Sequence, residues 1–157
     1  MSCILSVNIP IHFYQYISCE NTYTETSCIT LTLKENTTAR PIACSNPSST
    51  TLFNTQSITT NSNFIPAPGY TINKDDVIKL FQRNIGQYIS EKTFVQKGED
   101  APNPPSPIIC ISFAPSSENL AKFMFQELYS LINRSTNGCL SSIALSSYDY
   151  SVIYSIC

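Results

Sequence analysis

Residues 115–121, with the sequence PSSENLA, mark the clearest helix start in the chain. Two serines follow the proline and either can cap a helix, and Glu118 stands in the first turn, where the helix dipole favours negative charge. We expect Asn137-Gly138 to end this helix, because glycine tolerates a left-handed C-terminal cap. Between these ends, apolar residues recur at helical spacing at Leu120, Phe123, Met124, Phe125, Leu128, Leu131 and Ile132.

The segments at the two ends of the chain predict four strands. Residues 3–12 and 26–34 alternate apolar and polar side chains with a period of two, as half-buried strands do. The short polar connection at 18–25 predicts that these two strands form an antiparallel pair. After the helix, residues 140–145 and 152–157 predict a second pair joined by a turn.

A second helical pattern lies between the two pairs of strands. Asn73 can cap it, and the proline-rich residues 96–107 predict a linker that follows it, with 108–113 as an extended lead-in to the next helix. Its apolar positions are Val77, Phe81, Ile85, Tyr88 and Ile89. The order is therefore β-β-α-α-β-β, which predicts an α+β fold with two helices on one face of an antiparallel sheet.

Composition and charge exclude several classes of protein. The length suits a single domain spanning 1–157, with an irregular polar insertion at about 36–71 that is almost free of charge. The net charge is −2 without a basic stripe, which argues against a nucleic-acid partner. No apolar run is long enough to span a membrane. Only 13% of the residues are charged, so we expect partner subunits to cover part of the surface.

The seven cysteines are widely spaced and include no CxxC pair, which argues against a four-thiolate zinc site. We expect reduced thiols in a cytoplasmic protein, because the N-terminus lacks the features of a signal peptide. The alternative is a secreted Ser/Thr-rich glycoprotein with disulfides, since two triplets, at 36–38 and 133–135, fit the glycosylation sequon.

The PSSENLA stretch and the order of the elements resemble the tunnelling fold of the 6-pyruvoyltetrahydropterin synthase and 6-carboxytetrahydropterin synthase family. A Pro-Thr-Ser-Glu-Asn-Leu-Ala type stretch begins the corresponding helix in that family. His12 stands at the end of the first strand, where the family has a zinc histidine, and Cys19 matches the family's cysteine. Tyr23-Thr24-Glu25 replaces the family's His-Gly-His triplet, and Ile89-Ser90-Glu91-Lys92 replaces its Leu-Asp-His motif.

The resemblance implies a zinc-assisted reaction in which three histidines hold the metal while a cysteine and a histidine move protons. This chain has one histidine. The best remaining metal set is His12 and Glu25, with Tyr23 or Cys19, which supplies too few good ligands for a catalytic site. We therefore expect no cofactor, with zinc as the alternative if the site is kept in an altered form. Cys19 is the candidate catalytic residue; an inert thiol is the competing interpretation, because a thiolate needs a cationic neighbour.

The resemblance also indicates where a substrate would bind. The family residues at the start of the second helix touch the pterin ring, and a helix N-terminus offers free N–H groups, although serines there can simply cap the helix. The candidate substrate-binding residues are Ser116, Ser117, Glu118 and Ser146, the last of which stands where the family has its pterin-anchoring glutamate. Glu91 and Asp149 are acids close to the positions of lost family residues, so either could replace one of them.

These observations favour a degenerate member of the family that has lost zinc-dependent lyase activity. It would act as a subunit that binds a pterin or a purine, or as a structural subunit. Because tunnelling-fold rings cover the edges of their sheets with neighbouring subunits, the low surface charge favours a homo-oligomer joined through sheet edges. The alternatives are an active pterin-pathway lyase with rearranged metal ligands and the secreted glycoprotein.

Overall fold

The computed structural model describes residues 4–35 and 72–156 of the chain. The insertion predicted at 36–71 lies outside the described residues, as do three of the seven cysteines. The four described cysteines, Cys19, Cys28, Cys110 and Cys139, are free thiols. None of the described helices has the length and apolar character that crossing a membrane requires.

Two helices and six strands follow one another along the described residues. The first helix, α1, changes its winding from α to π and back to α over Lys74–Phe81, Gln82–Gly86 and Gln87–Ile89. The other elements are β1 (Ile4–Ile17), β2 (Thr22–Glu35), β3 (Thr93–Gln96), β4 (Ile108–Ile111), α2 (Ser117–Ser135), β5 (Gly138–Ser146) and β6 (Ser151–Ser155).

The strands form one sheet with the order β4-β3-β1-β2-β5-β6. The four strands predicted from the ends of the chain pair with one another in antiparallel fashion, which confirms the α+β prediction of two helices on a sheet. Two short strands extend this sheet, because β3 is parallel to β1 and β4 is parallel to β3. The sequence did not predict β3, since four residues between a helix and a polar loop are too few to show alternation.

The first two strands are longer than the sequence predicted, and the connection between them is only four residues, 18–21. Asn21 has a φ of 53°, in the left-handed region that asparagine tolerates in tight turns. Its side-chain Oδ1 accepts a hydrogen bond of 2.8 Å from the hydroxyl of Tyr16. Residues 22–25, predicted to lie in the connection, therefore belong to β2.

One apolar core holds both helices against the same face of the sheet. Phe13 and Leu31 of the central strands are fully buried there, together with Phe81 of α1 and Leu128 of α2. The helical spacing predicted the core of α1 correctly except for Tyr88, whose side chain is 62% exposed. The π-helical turn that precedes Tyr88 shifts the residues after it around the helix axis, which a regular period does not anticipate.

The helix starts were predicted better than the helix ends. Asn73 caps α1 by accepting from the N–H of Asp75, and Ser116 caps α2. The prediction of Gly138 as a left-handed cap is wrong, because α2 ends at Ser135 and Gly138 begins β5. A Cβ at Gly138 would lie 2.9 Å from Ile72 Cδ1, so this glycine permits close packing between β5 and the segment before α1.

Candidate functional site

A bulge in β1 sets the position of His12. The pairing of β1 with β2 shifts between Pro10 and Phe13, so that two residues, Ile11 and His12, lie opposite a single residue of β2. Bulges redirect side chains and are common beside functional sites. Ile11 and Phe13 are buried in the core, so the alternation of side chains places His12 on the face of the sheet that the helices leave open.

The ring of His12 contacts a carboxylate at each nitrogen. Nε2 lies 2.6 Å from Oε2 of Glu25, and Nδ1 lies 3.4 Å from Oε2 of Glu91. The three side chains are partly exposed, at 33% for His12, 53% for Glu25 and 68% for Glu91. The ring of Tyr14 meets the imidazole edge to face, with centroids 4.7 Å apart. We refer to His12, Tyr14, Glu25 and Glu91 as the His12 cluster.

The two carboxylates favour the protonated form of His12. Its pKa is raised above the ordinary value, mainly by the hydrogen bond to Glu25; partial burial acts against this, and the hydrogen bond to Glu91 and the charges of both glutamates add to it. A neutral imidazole donates from one nitrogen and accepts at the other, whereas the imidazolium donates from both. With an acceptor at each nitrogen, the surroundings of His12 therefore favour the double-donor form.

Two different parts of the fold bring the glutamates to His12. Glu25 lies on β2, directly opposite Tyr14. Glu91 lies in the turn between α1 and β3, and its backbone N–H donates to the carbonyl of His12 at 2.7 Å. The N–H of Tyr14 donates in turn to the carbonyl of Lys92, which begins the parallel pairing of β1 with β3. The sequence suggested that Glu91 could replace a lost family residue, which stays a prediction. Nothing in the sequence linked Glu91 to His12.

In the described part of the chain, the predicted metal set is joined by hydrogen bonds within the His12 cluster. Both nitrogens of the one histidine point at carboxylates, and the hydroxyl of Tyr23 donates to the carbonyl of Pro102. Among the residues that the structure describes, no group of three His, Cys, Asp or Glu side chains is arranged to hold a metal ion. His12 and Glu25, predicted as the remnant of a metal site, are in contact with each other as an ion pair.

Cys19 and Asp149 lie in turns that follow strands. Cys19 is exposed in the turn after β1, and the extended residues from His12 to Ile17 span roughly 16 Å at about 3.3 Å per residue. Asp149 lies in the turn between β5 and β6, where it accepts from the hydroxyl of Ser147. In the described part of the chain, no hydrogen bond or ion pair joins either residue to His12.

A buried polar network on the helix side of the sheet includes Ser117. The side-chain amide of Gln15 is fully buried and donates to Oγ of Ser117 and to the carbonyl of Pro115, both at 3.1 Å. Its Oε1 accepts from the hydroxyl of Thr26 at 2.6 Å. The hydroxyl of Tyr150 lies 3.2 Å from Oγ of Ser117. The network thereby joins β1, β2, the start of α2 and the turn before β6. The sequence did not indicate Gln15, because the predicted strand ended at residue 12.

The other predicted substrate-binding residues have separate placements. Oγ of Ser116 accepts from the N–H of Asn119 and caps α2, while Glu118 is exposed in the first turn. Oγ of Ser146 lies 3.2 Å from Oγ of Ser151 on the neighbouring strand. Ser146 follows the buried Leu145 on β5, so it shares the open face of the sheet with His12. The predicted residues thus fall into two groups, on opposite faces of the sheet.

Comparison with known proteins bears on the fold alone. No protein-family model matches the sequence, and no curated protein matches it. Solved structures do match it. An uncharacterized protein of Wolinella succinogenes superposes with a TM-score of 0.62 at 12% identity, covering 99% of this chain and 98% of that one.

Two catalytic-residue mutants of Plasmodium vivax 6-pyruvoyltetrahydropterin synthase also match. Each superposes with a TM-score of 0.55 at 11% identity, and the match covers 99% of this chain and 99% of theirs. The fold predicted from the PSSENLA stretch is therefore similar to that of 6-pyruvoyltetrahydropterin synthase along nearly the whole chain. Identities this low relate the folds and leave the activity to be argued from the site.

Proposed function

We propose that this chain is a binding protein built on the fold of 6-pyruvoyltetrahydropterin synthase, without zinc-dependent lyase activity. The observation that carries the proposal is the contact of both His12 nitrogens with carboxylates. A zinc ligand must offer a nitrogen lone pair, and the two carboxylates favour the protonated ring, which has none. The chain has no second histidine to replace it.

The chemistry of the cluster favours a ligand rich in N–H donors. Glu25 and Glu91 each direct Oε2 at His12, and each carboxylate has a second oxygen with unshared lone pairs. Both side chains are more than half exposed, so these acceptors are accessible from solvent. The 2-amino-pyrimidinone edge of a pterin or of guanine presents adjacent N–H donors that match a carboxylate. We favour a pterin because the matched synthase is named for one.

Binding of a pterin to the full-length protein tests this proposal. We expect fluorescence titration to show saturable pterin binding that weakens about tenfold or more in Glu25→Gln, since the loss of one charge-assisted hydrogen bond removes about 1.5–3 kcal/mol. Glu127→Gln is the matched control, because Glu127 is an exposed acid on α2, away from the cluster. Wild-type protein that binds neither a pterin nor guanine would contradict the proposal.

The active lyase remains the competing function, and metal analysis separates the two. We expect the purified protein to carry far less than one zinc per chain and to leave dihydropterin triphosphate unchanged. Stoichiometric zinc that disappears in His12→Ala, together with turnover of this substrate, would replace our proposal by the lyase.

A second role, as a subunit of a homo-oligomer, is supported by the edges of the sheet. The edge strands β4 and β6 expose Ile108 (45%) and Ile153 (66%) and contain no charged residue. Monomeric proteins usually protect such edges with charges, prolines or bulges. Pairing with a second copy of the chain would cover them, and this role is compatible with ligand binding.

A further inference from the structure

We propose that Glu91 is a positioning residue of the His12 cluster, kept for its carboxylate at a backbone position that favours glycine. The inference rests on the proposed function and deepens it, because it states which residue determines what His12 presents to a ligand. This positioning role acts through the ring of His12 and is separate from the acceptor that the second carboxylate oxygen of Glu91 offers to a ligand.

The backbone of Glu91 is the first argument. Its φ is 58°, in the left-handed region that most side chains disfavour. The other described residues with positive φ are Asn21, Gly98 and Asn103, all of the two residue types that tolerate this region best. Glutamate at such a position therefore requires a reason beyond the turn.

The turn itself does not supply that reason. The contact that fixes it is the backbone N–H of Glu91, which donates to the carbonyl of His12 at 2.7 Å. Glycine has the same N–H and would adopt the same φ without steric cost. What glycine lacks is the carboxylate, and in Glu91 its Oε2 lies 3.4 Å from Nδ1 of His12.

The carboxylate changes which form of the ring is favoured. Glu25 alone is satisfied by a neutral imidazole that donates from Nε2, which leaves Nδ1 as a free acceptor. Glu91 supplies an acceptor at Nδ1 and so makes this nitrogen a donor as well. With Glu91 present, the favoured form of the ring offers a ligand no nitrogen lone pair; without it, Nδ1 offers one. Tyr14 also contacts the ring, edge to face.

Because His12 is the one histidine in the chain, nitrogen NMR of the imidazole reports on it without ambiguity. The experiment uses full-length protein labelled with ¹⁵N-histidine and follows both ring nitrogens through a pH titration. In the wild type we expect both nitrogens to keep their protons to a pH above the ordinary titration range of an imidazole. In Glu91→Gly and Glu91→Gln we expect Nδ1 to lose its proton at a pH lower by half a unit or more.

Two comparisons separate a positioning role from a structural one. Asn103→Gly relieves the same kind of backbone conformation in the loop between β3 and β4, and we expect it to leave the titration of His12 unchanged. Glu91→Gly should keep or raise the melting temperature while the His12 titration shifts. A titration of Glu91→Gly that coincides with the wild type would overturn the proposal and leave Glu91 as a turn residue.

Pterin binding measured on the same variants keeps the two proposals distinguishable. We expect both Glu91 variants to bind a pterin at least threefold more weakly than the wild type and Asn103→Gly to bind equally well. Wild-type protein that binds no pterin would refute the proposed function, while the nitrogen titration would still decide the role of Glu91.

Discussion

A single imidazole ring connects three segments of this chain, since His12 on β1 contacts Glu25 on β2 and Glu91 in the turn after α1. All three side chains are partly exposed, so each ion pair contributes about 0–1 kcal/mol. These energies are small, but together the two glutamates favour protonation of His12. Protonation matters because it decides whether the ring donates or accepts hydrogen bonds. At this scale the charge state of one residue determines the chemistry of the site.

The raised pKa of His12 predicts that part of the stability is lost above neutral pH. The folded protein binds the proton more tightly than the unfolded chain, in which the pKa is near 6.5. The contribution is therefore fully present below about pH 6.5 and is lost as the pH rises through the raised folded value. We expect the free energy of unfolding in urea to fall about 0.5–1 kcal/mol more in the wild type than in His12→Gln between about pH 6 and pH 8.5.

The wild type and His12→Gln share all other titrating groups, whose contributions therefore cancel when the two unfolding free energies are compared. Glu127→Gln provides the matched charge change outside the cluster and should follow the wild-type curve. Wild-type and His12→Gln curves that run parallel over this range would show that the glutamates do not stabilise the imidazolium.

The elements differ in how far the sequence predicts them. The start of α2 was predictable because proline, capping serines and an acid in the first turn act locally. The strand β3 was not, because its four residues are defined by pairing with β1 and β4. The bulge at His12 was also unpredictable, since it is a mismatch between two strands that each look regular alone. His12 and Glu25 could thus be selected from sequence, whereas their contact with Glu91 depends on a turn brought in by tertiary structure.

The buried network at the start of α2 makes Thr26 important for stability. Its hydroxyl donates to Oε1 of Gln15 inside the protein, and Thr26→Val keeps the shape while leaving that acceptor without its donor. We expect Thr26→Val to lower the free energy of unfolding by about 1–3 kcal/mol, as measured by urea denaturation. Thr30→Val is the control on the same strand, because the Thr30 hydroxyl bonds to Asn8 on the exposed face. Equal effects of the two substitutions would argue against a stabilising network.

Gly138, at the start of β5, offers a second test. The left-handed cap expected from the sequence and the close packing seen in the structure predict opposite effects of Gly138→Asn. A left-handed cap would accept asparagine readily. Close packing would reject any side chain, since a Cβ would lie 2.9 Å from Ile72 and 3.1 Å from Leu33. We expect Gly138→Ala and Gly138→Asn both to lower the melting temperature, with a loss of about 1–3 kcal/mol. A near-neutral Gly138→Asn would contradict the importance of this close packing.

At the scale of the whole molecule, the helices cover one face of the sheet and leave the other partly open, and none of the described strands pairs with the outer side of β4 or β6. The open face carries the His12 cluster near its middle and small polar residues such as Thr30 and Ser142 around it. The edges carry the exposed isoleucines of β4 and β6. The low fraction of charged residues, 13%, also favours association between copies of the chain. A surface with few charges is kept soluble more easily when part of it is covered.

Pairing of sheet edges between copies predicts a mass in solution that is a multiple of the 17.4 kDa chain. We expect size-exclusion chromatography with light scattering to show such a multiple for the wild type. Ile153→Lys should shift the protein towards the monomer, because a lysine on the edge strand β6 must be desolvated if a second copy pairs there. Tyr148→Lys places the same charge on the exposed turn beside β6 and should leave the mass unchanged. A wild type that elutes as a clean monomer at concentrations well above those in the cell would show that the edges are protected in some other way, and the His12 cluster would then have to bind its ligand within a single chain.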